Sequence, residues 1–227
     1  RDAQESRGLG DVYKRQGVNA SSMPAHFDVE SDDETLFTNN SGETFVHKLQ
    51  YKLNRILPAD IAVQKIVRVR PDAHARFDAV ERTYYYYITT EKNPFRVEHY
   101  YRIPFDVDFG RMNEAADLLV RKGDFASFAK TNSDVKTTIC DVRRAVWVDL
   151  GDNAWRFEIT ADRFLRNMVR AVVGTLLDVG RGRMQPSDME NVLRNRNRCA
   201  AGESVFGGAL FLHEVKYPAN VFDYELP

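Results

Sequence analysis

A chain of 227 residues that is 43% hydrophobic and 29% charged has apolar content for one large core or two smaller ones, and is unlike a disordered tract. It contains no run of about 18 apolar residues, so nothing in it reads as a membrane-spanning helix, and residues 1–16 lack the apolar stretch of a signal peptide. Cys140 and Cys199 supply neither a disulfide framework nor a metal cluster, and reduced thiols in a cytoplasmic protein are the simpler reading.

The formal net charge of −1 argues weakly against a nucleic-acid partner, but its distribution is uneven. From Pro24 to His47 the charged residues Asp28, Glu30, Asp32, Asp33, Glu34 and Glu43 are all acidic. From Arg163 to Arg198 eight arginines face only Asp178, Asp188 and Glu190. Such segregation suits a polyanion-binding face, and a solvated surface is the alternative.

In chain order, 1–16 show neither helical nor strand periodicity and read as foreign or disordered sequence. Gly17 to Val29 reads as a loop feeding a strand. Thr44 to Asn54, with Phe45, Leu49 and Leu53 four apart, predicts an amphipathic helix. Ile61 to Val69 and Ala75 to Phe77 are strand-like, and Arg82 to Thr89 carries four tyrosines that suit a strand covered on both faces. Asp108 to Arg121 predicts a helix capped by Asp108, with Met112, Ala115, Ala116, Leu119 and Val120 as its apolar stripe. Asp124 to Phe128 reads as a turn. Arg143 to Leu150 and Ala154 to Thr160 alternate as strands joined by a hairpin. Phe164 to Val179 predicts the longest buried helix, ended by Gly180 and Gly182. A shorter helix (Ser187 to Asn195) and a closing strand (Ala209 to Tyr217) follow. The fold class is α+β, helices packed on a mostly antiparallel sheet.

Two constellations point to chemistry. Arg163, Arg166 and Arg170, three and four apart at the start of the long helix, would share one side of it and suit bidentate phosphate contacts. A solvated face paired with Asp162 and Glu158 is the equal alternative. His74, Arg76, Phe77 and Asp78, followed by Arg82 and Tyr84, place arginine and tyrosine where they could pin a backbone and stack on a displaced base. Core packing claims at least every second tyrosine of that strand. No metal-ligand spacing, phosphate-binding glycine loop or dinucleotide fingerprint occurs, and Gly180-Arg181-Gly182-Arg183 reads as a helix stop with a basic tip.

Six blocks taken together carry a resemblance: LNRILPADIAV (53–63), HARFDA (74–79), RTYYY (82–86), NPF (93–95), MNEAADLLVRKGDFASF (112–128) and FLRNMVRAVVGTLLDVGRGR (164–183). In order and spacing they resemble the tRNA pseudouridine synthase A family, which modifies uridines 38 to 40 of the anticodon arm, and the likeness runs from about Gly17 to Pro218. The resemblance implies two similar halves around a central cleft, here 17–70 as the remainder of the first half and 71–218 as the second, with 219–227 a tail. It implies tRNA rather than DNA as partner, a homodimer, no cofactor and no metal, and Arg76, Tyr84 and Arg170 in the active-site cleft. Arg163, Arg166, Asn167, Arg181 and Arg183 follow as RNA-binding residues.

The family's nucleophile motif reads G-R-T-D, one small residue, then G-V-H-A. Its tail survives as Gly17, Val18, Asn19 and Ala20, but Tyr13, Lys14, Arg15 and Gln16 precede them, so Arg15 stands where the nucleophilic aspartate belongs. Family members also begin about fifty residues earlier. The expectation is a truncated synthase joined to foreign sequence before Gly17, inactive as it stands. A non-catalytic tRNA-binding module and a structural protein without RNA affinity are the competing classes.

Overall fold

A computed structural model describes residues 17–28, 39–131 and 136–222. They fall into two compact units: Ala79–Lys216 with the segment up to Met23, and Pro24–Asp78 with the residues from Tyr217 onward.

The first unit is a seven-stranded sheet with helices on it. Its elements are β1 (Asn19–Ala20), β2 (Glu81–Thr89), β3 (Tyr101–Arg102), α2 (Phe109–Asp117), β4 (Lys122–Asp124), β5 (Ile139–Gly151), β6 (Ala154–Ala161), α3 (Met168–Gly180), α4 (Asp188–Asn195) and β7 (Leu210–Lys216). The strand order is β1-β7-β2-β6-β5-β4, and β3 lies alongside β2. Only β1 with β7 and β3 with β2 run parallel, so the sheet is mixed but mostly antiparallel. A hairpin joins β5 to β6 through Gly151, Asp152 and Asn153, all at positive φ, the conformation that matches the twist of paired strands. Alternation sends Tyr86, Ile159, Phe157 and Trp147 to the face where Met112 and Leu119 of the α2 region and Val172 and Leu176 of α3 are buried. Each such side chain contributes roughly 1.5–3 kcal/mol.

The second unit holds α1 (Asn39–Ile56) and an irregular segment that returns along it. The strand expected over 61–69 does not form. Asn54 and Gln50 on α1 take the backbone groups of Val63 and Gln64 through their side-chain amides (2.7–3.0 Å), bonds a sheet neighbour would otherwise make. Only Val69 makes a bridge, with Phe222. Ala75 to Phe77 is likewise a turn, closed by bonds from the Phe77 and Asp78 amides to the His74 carbonyl.

Two helices are shorter than their apolar periodicity suggests. Asp108 caps α2 as expected, accepting from the Arg111 amide, but the helix ends at Asp117. Leu119 stays buried while Val120 is exposed, because β5 takes up the following backbone from Arg121 onward. The long helix starts at Met168 rather than Phe164: Asn167 adopts a left-handed conformation (φ 70°) and the Arg166 carbonyl accepts from Lys130. α1 begins five residues before its expected span, at Asn39, and ends two residues after it, at Ile56. Among the described residues no helix is long and apolar enough to cross a membrane.

Candidate functional site

The late start of α3 changes how its arginines are arranged. Arg163 and Arg166 lie in the segment before the helix and Arg170 in its first turn, so helical spacing does not place the three on one face. Nor do their proposed carboxylate partners meet them: Glu158 is bound by Arg144 from the neighbouring strand and by Arg156 on its own strand, and Asp162 accepts from the Asp141 amide. Among the described residues none of the three arginines forms an ion pair. Arg166 is exposed and Arg163 half-buried near Cys140, whose thiol burial pushes up to about 12 while the charge of Arg163 pulls the other way.

Arg170 is held in place by a strap of chain, 201–208, that crosses α3. Its Nε donates to the Val205 carbonyl (2.6 Å), and its own carbonyl accepts from the Val205 amide. On one side the Gly202 amide donates to Thr175 Oγ1 (2.8 Å) and the Asn167 and Arg198 side chains donate to Ser204 Oγ. On the other the Tyr86 hydroxyl donates to the Phe206 carbonyl (2.7 Å). Tyr86 is fully buried; burial pushes its hydroxyl far up, so it remains a neutral donor. The strap lies so close to α3 that a Cβ on Gly174 would stand 1.8 Å from the Glu203 carbonyl oxygen.

Gly17, Val18, Asn19 and Ala20 reach the same place from the other end of the chain. β1 pairs with β7 (Asn19 with Phe211, Ala20 with Leu212), and Asn19 Nδ2 donates to the Gly208 carbonyl (2.6 Å). The Gly17 carbonyl lies 3.0 Å from where a Cβ on Gly207 would be, and Arg170 Nη1 lies 3.6 Å from the same point. Segments about 150 residues apart in sequence thus converge on one glycine.

Tyr84 shares its strand face with Tyr86 and meets Phe164 edge-on, ring centroids 5.1 Å apart. Arg181 lies over the Phe105 ring at 3.9 Å, and Arg183 pairs with Asp178 (3.3 Å). Arg76 belongs to the other unit. It is exposed at the tip of the turn braced by Asp78, with its guanidinium 5.6 Å from the Phe77 ring centroid and its amide donating to His74 Nδ1. Arg15 lies outside the described residues.

Sequence reasoning missed the strap and Tyr86. One signal was available: Gly174 inside an otherwise apolar helix, opposite a glycine-rich stretch, marks a close backbone approach.

A family model described as tRNA pseudouridine synthase matches residues 115–218. The chain is 52% identical over 207 residues to the tRNA pseudouridine synthase A of Bacteroides fragilis, covering 91% of this chain and 78% of that one. It is 52% identical over 209 residues to the protein of that name from Parabacteroides distasonis, covering 92% and 79%. It is 33% identical over 203 residues to that of Bacillus subtilis, covering 88% and 77%.

Proposed function

The chain belongs to the tRNA pseudouridine synthase A family, and on that premise we propose that the surface around Arg170 is where it engages tRNA. The family's reaction is an isomerisation: the N1–C1′ bond of a uridine breaks, the uracil turns, and C5 bonds to C1′ while the C5 proton leaves and N1 gains one. Nothing is oxidised and no group is lost. The base must leave its stack first, because C1′ and the base edge are otherwise covered.

What supports this reading most is the convergence of Gly17 and Arg170 on Gly207. The G-V-N-A segment follows the position where the family carries its nucleophile, and an arginine beside a carboxylate keeps it ionised and ready to attack. Arg170 has the fixed geometry for that task, since its Nε is committed to Val205. A donor held before the reaction begins costs no reorganisation when charge develops. Arg163, Arg166, Asn167, Arg181 and Arg183 carry the phosphate-facing part of the proposal, and Tyr84 beside Phe164 the part that meets the displaced base. The resemblance adds Arg76, a homodimer, a two-halved architecture around a cleft and uridines 38 to 40 as targets, and the two free cysteines suit a cytoplasmic location.

This polypeptide carries Arg15 where the motif has its aspartate. A cation there cannot act as the nucleophile, so the proposal is tRNA binding without turnover. The test is tritium release from tRNA labelled at uracil C5, run beside filter binding across a salt series. Salt-sensitive binding with release no higher than the protein-free control is expected. Release above that control would refute the loss of turnover, and absence of binding at low salt would refute the tRNA-engaging surface itself.

A further inference from the structure

The strap presents one side chain that the reaction does not account for. Phe206 is 52% exposed although Val205 before it is 8% exposed and Gly207 after it is buried. Its backbone is fixed: the carbonyl accepts from the buried Tyr86 hydroxyl, Val205 exchanges two hydrogen bonds with Arg170, and the Gly207 carbonyl accepts from the Leu210 amide. The ring's Cε1–Cζ side lies against Gly208, where a Cβ would come within 2.5 Å of both atoms. Among the described residues no other aromatic ring touches it. A large apolar ring that is braced on one side, open elsewhere and one residue from the glycine where Gly17 and Arg170 meet is poorly explained by core packing, from which it is half excluded.

We propose that Phe206 is a stacking platform for an unpaired nucleobase of the bound tRNA, next to the uridine engaged at Arg170. This rests on the tRNA reading given above and extends it by one residue. Every base offers a π-face, so such a platform is tolerant of sequence, and its immobilised backbone means little conformational entropy is lost on stacking. On this reading the arginines proposed above to face phosphate would hold the backbone while the ring holds a base.

The test uses this chain and an anticodon stem-loop RNA with 2-aminopurine in its loop, a base whose fluorescence is quenched by stacking. The native protein is expected to quench the probe on binding. Phe206→Leu should lose most of that quench and bind roughly tenfold more weakly, with the slope of log affinity against log salt unchanged because no charge is removed. Phe206→Trp should keep both. Unaltered affinity and quench in Phe206→Leu would overturn the platform while leaving the tRNA reading standing. Equal losses in the Leu and Trp variants would also overturn it, since the position would then matter for packing rather than stacking. Failure of the native chain to bind the stem-loop at low salt would overturn both readings together.

Discussion

Replacing Gly174 by alanine puts two physical rules in opposition. Helix propensity favours alanine in a helix interior by about 1 kcal/mol. The structure demands the reverse, because the added Cβ would lie 1.8 Å from the Glu203 backbone oxygen, roughly half an ordinary carbon–oxygen contact. The obstacle is main chain, so no side chain can swing aside, and either α3 or the strap must retreat by about 1.5 Å. Retreat of the strap stretches the Gly202–Thr175 and Arg170–Val205 bonds, and overpacking of this kind typically costs 1–3 kcal/mol before such losses. A net destabilisation of about 3 kcal/mol is expected, which for a chain of this length is a fall in Tm of about 6–12 °C. Far-ultraviolet circular dichroism melts of the native chain and Gly174→Ala measure it directly. An unchanged or higher Tm would refute the close approach and the anchoring of Arg170 that depends on it.

Tyr86→Phe removes one hydrogen bond and leaves the Phe206 carbonyl without that donor. It should lower stability by about 1 kcal/mol and Tm by about 2–4 °C. Burial raises the folded-state hydroxyl above its unfolded value, so its contribution is fully present below about pH 10 and is lost as the unfolded tyrosine ionises above it; the difference should hold up to about pH 9 and shrink beyond about pH 10, and a difference that stayed constant well above pH 10 would contradict it. Glu158→Gln tests the ion cluster on the sheet. Burial pushes the Glu158 carboxyl up, but hydrogen bonds from Arg156 and Arg144 outweigh it and leave it below the ordinary glutamate value. A depressed folded-state value means the stabilisation is fully present above about pH 4.3 and is lost as pH falls through the lowered value. Urea denaturation should therefore show Glu158→Gln about 2 kcal/mol less stable at neutral pH, with the gap closing on acidification; a gap independent of pH would count against the charge pairing.

The sequence made legible those elements whose burial and local signals agree. β2, β5, β6 and β7 alternate and find antiparallel neighbours, and Asp108 caps α2 as its spacing predicts. What failed were elements whose backbone groups are claimed from far away. The 61–69 segment is rich in β-branched residues yet meets the amides of α1 instead of a strand. Residues 164–167 continue the apolar period of α3, but Lys130 and Ser204 bind their backbone and side chains and hold them out of the helix. Periodicity reports which residues are buried, and it cannot tell a helix from a turn that buries the same side chains. Arg170 was readable from spacing as one of three phosphate-contacting candidates, and its place in the active-site cleft only through family resemblance. The reason it is rigid, Val205 thirty-five positions downstream, was not readable at all.

The late start of the expected helix bears on the roles proposed for its arginines. Three arginines on one helical face would repel each other and share one environment. Breaking the helix at Asn167 separates them: Arg166 and Arg163 sit on irregular chain before it, while Arg170 rises from a first turn whose neighbours Ala171, Val172 and Val173 are fully buried. Arg170 is thus fixed by the core below and by the strap above, whereas Arg166 is exposed and free of any ion pair among the described residues. A flexible cation suits the phosphate backbone, whose contacts are long-range and tolerant of position. An immobile one suits a reacting centre, where displacement by about 1 Å can cost a hundredfold in rate. On the proposed reading, the left-handed Asn167 that delays the start of the expected helix would let neighbouring arginines of one block serve two different tasks.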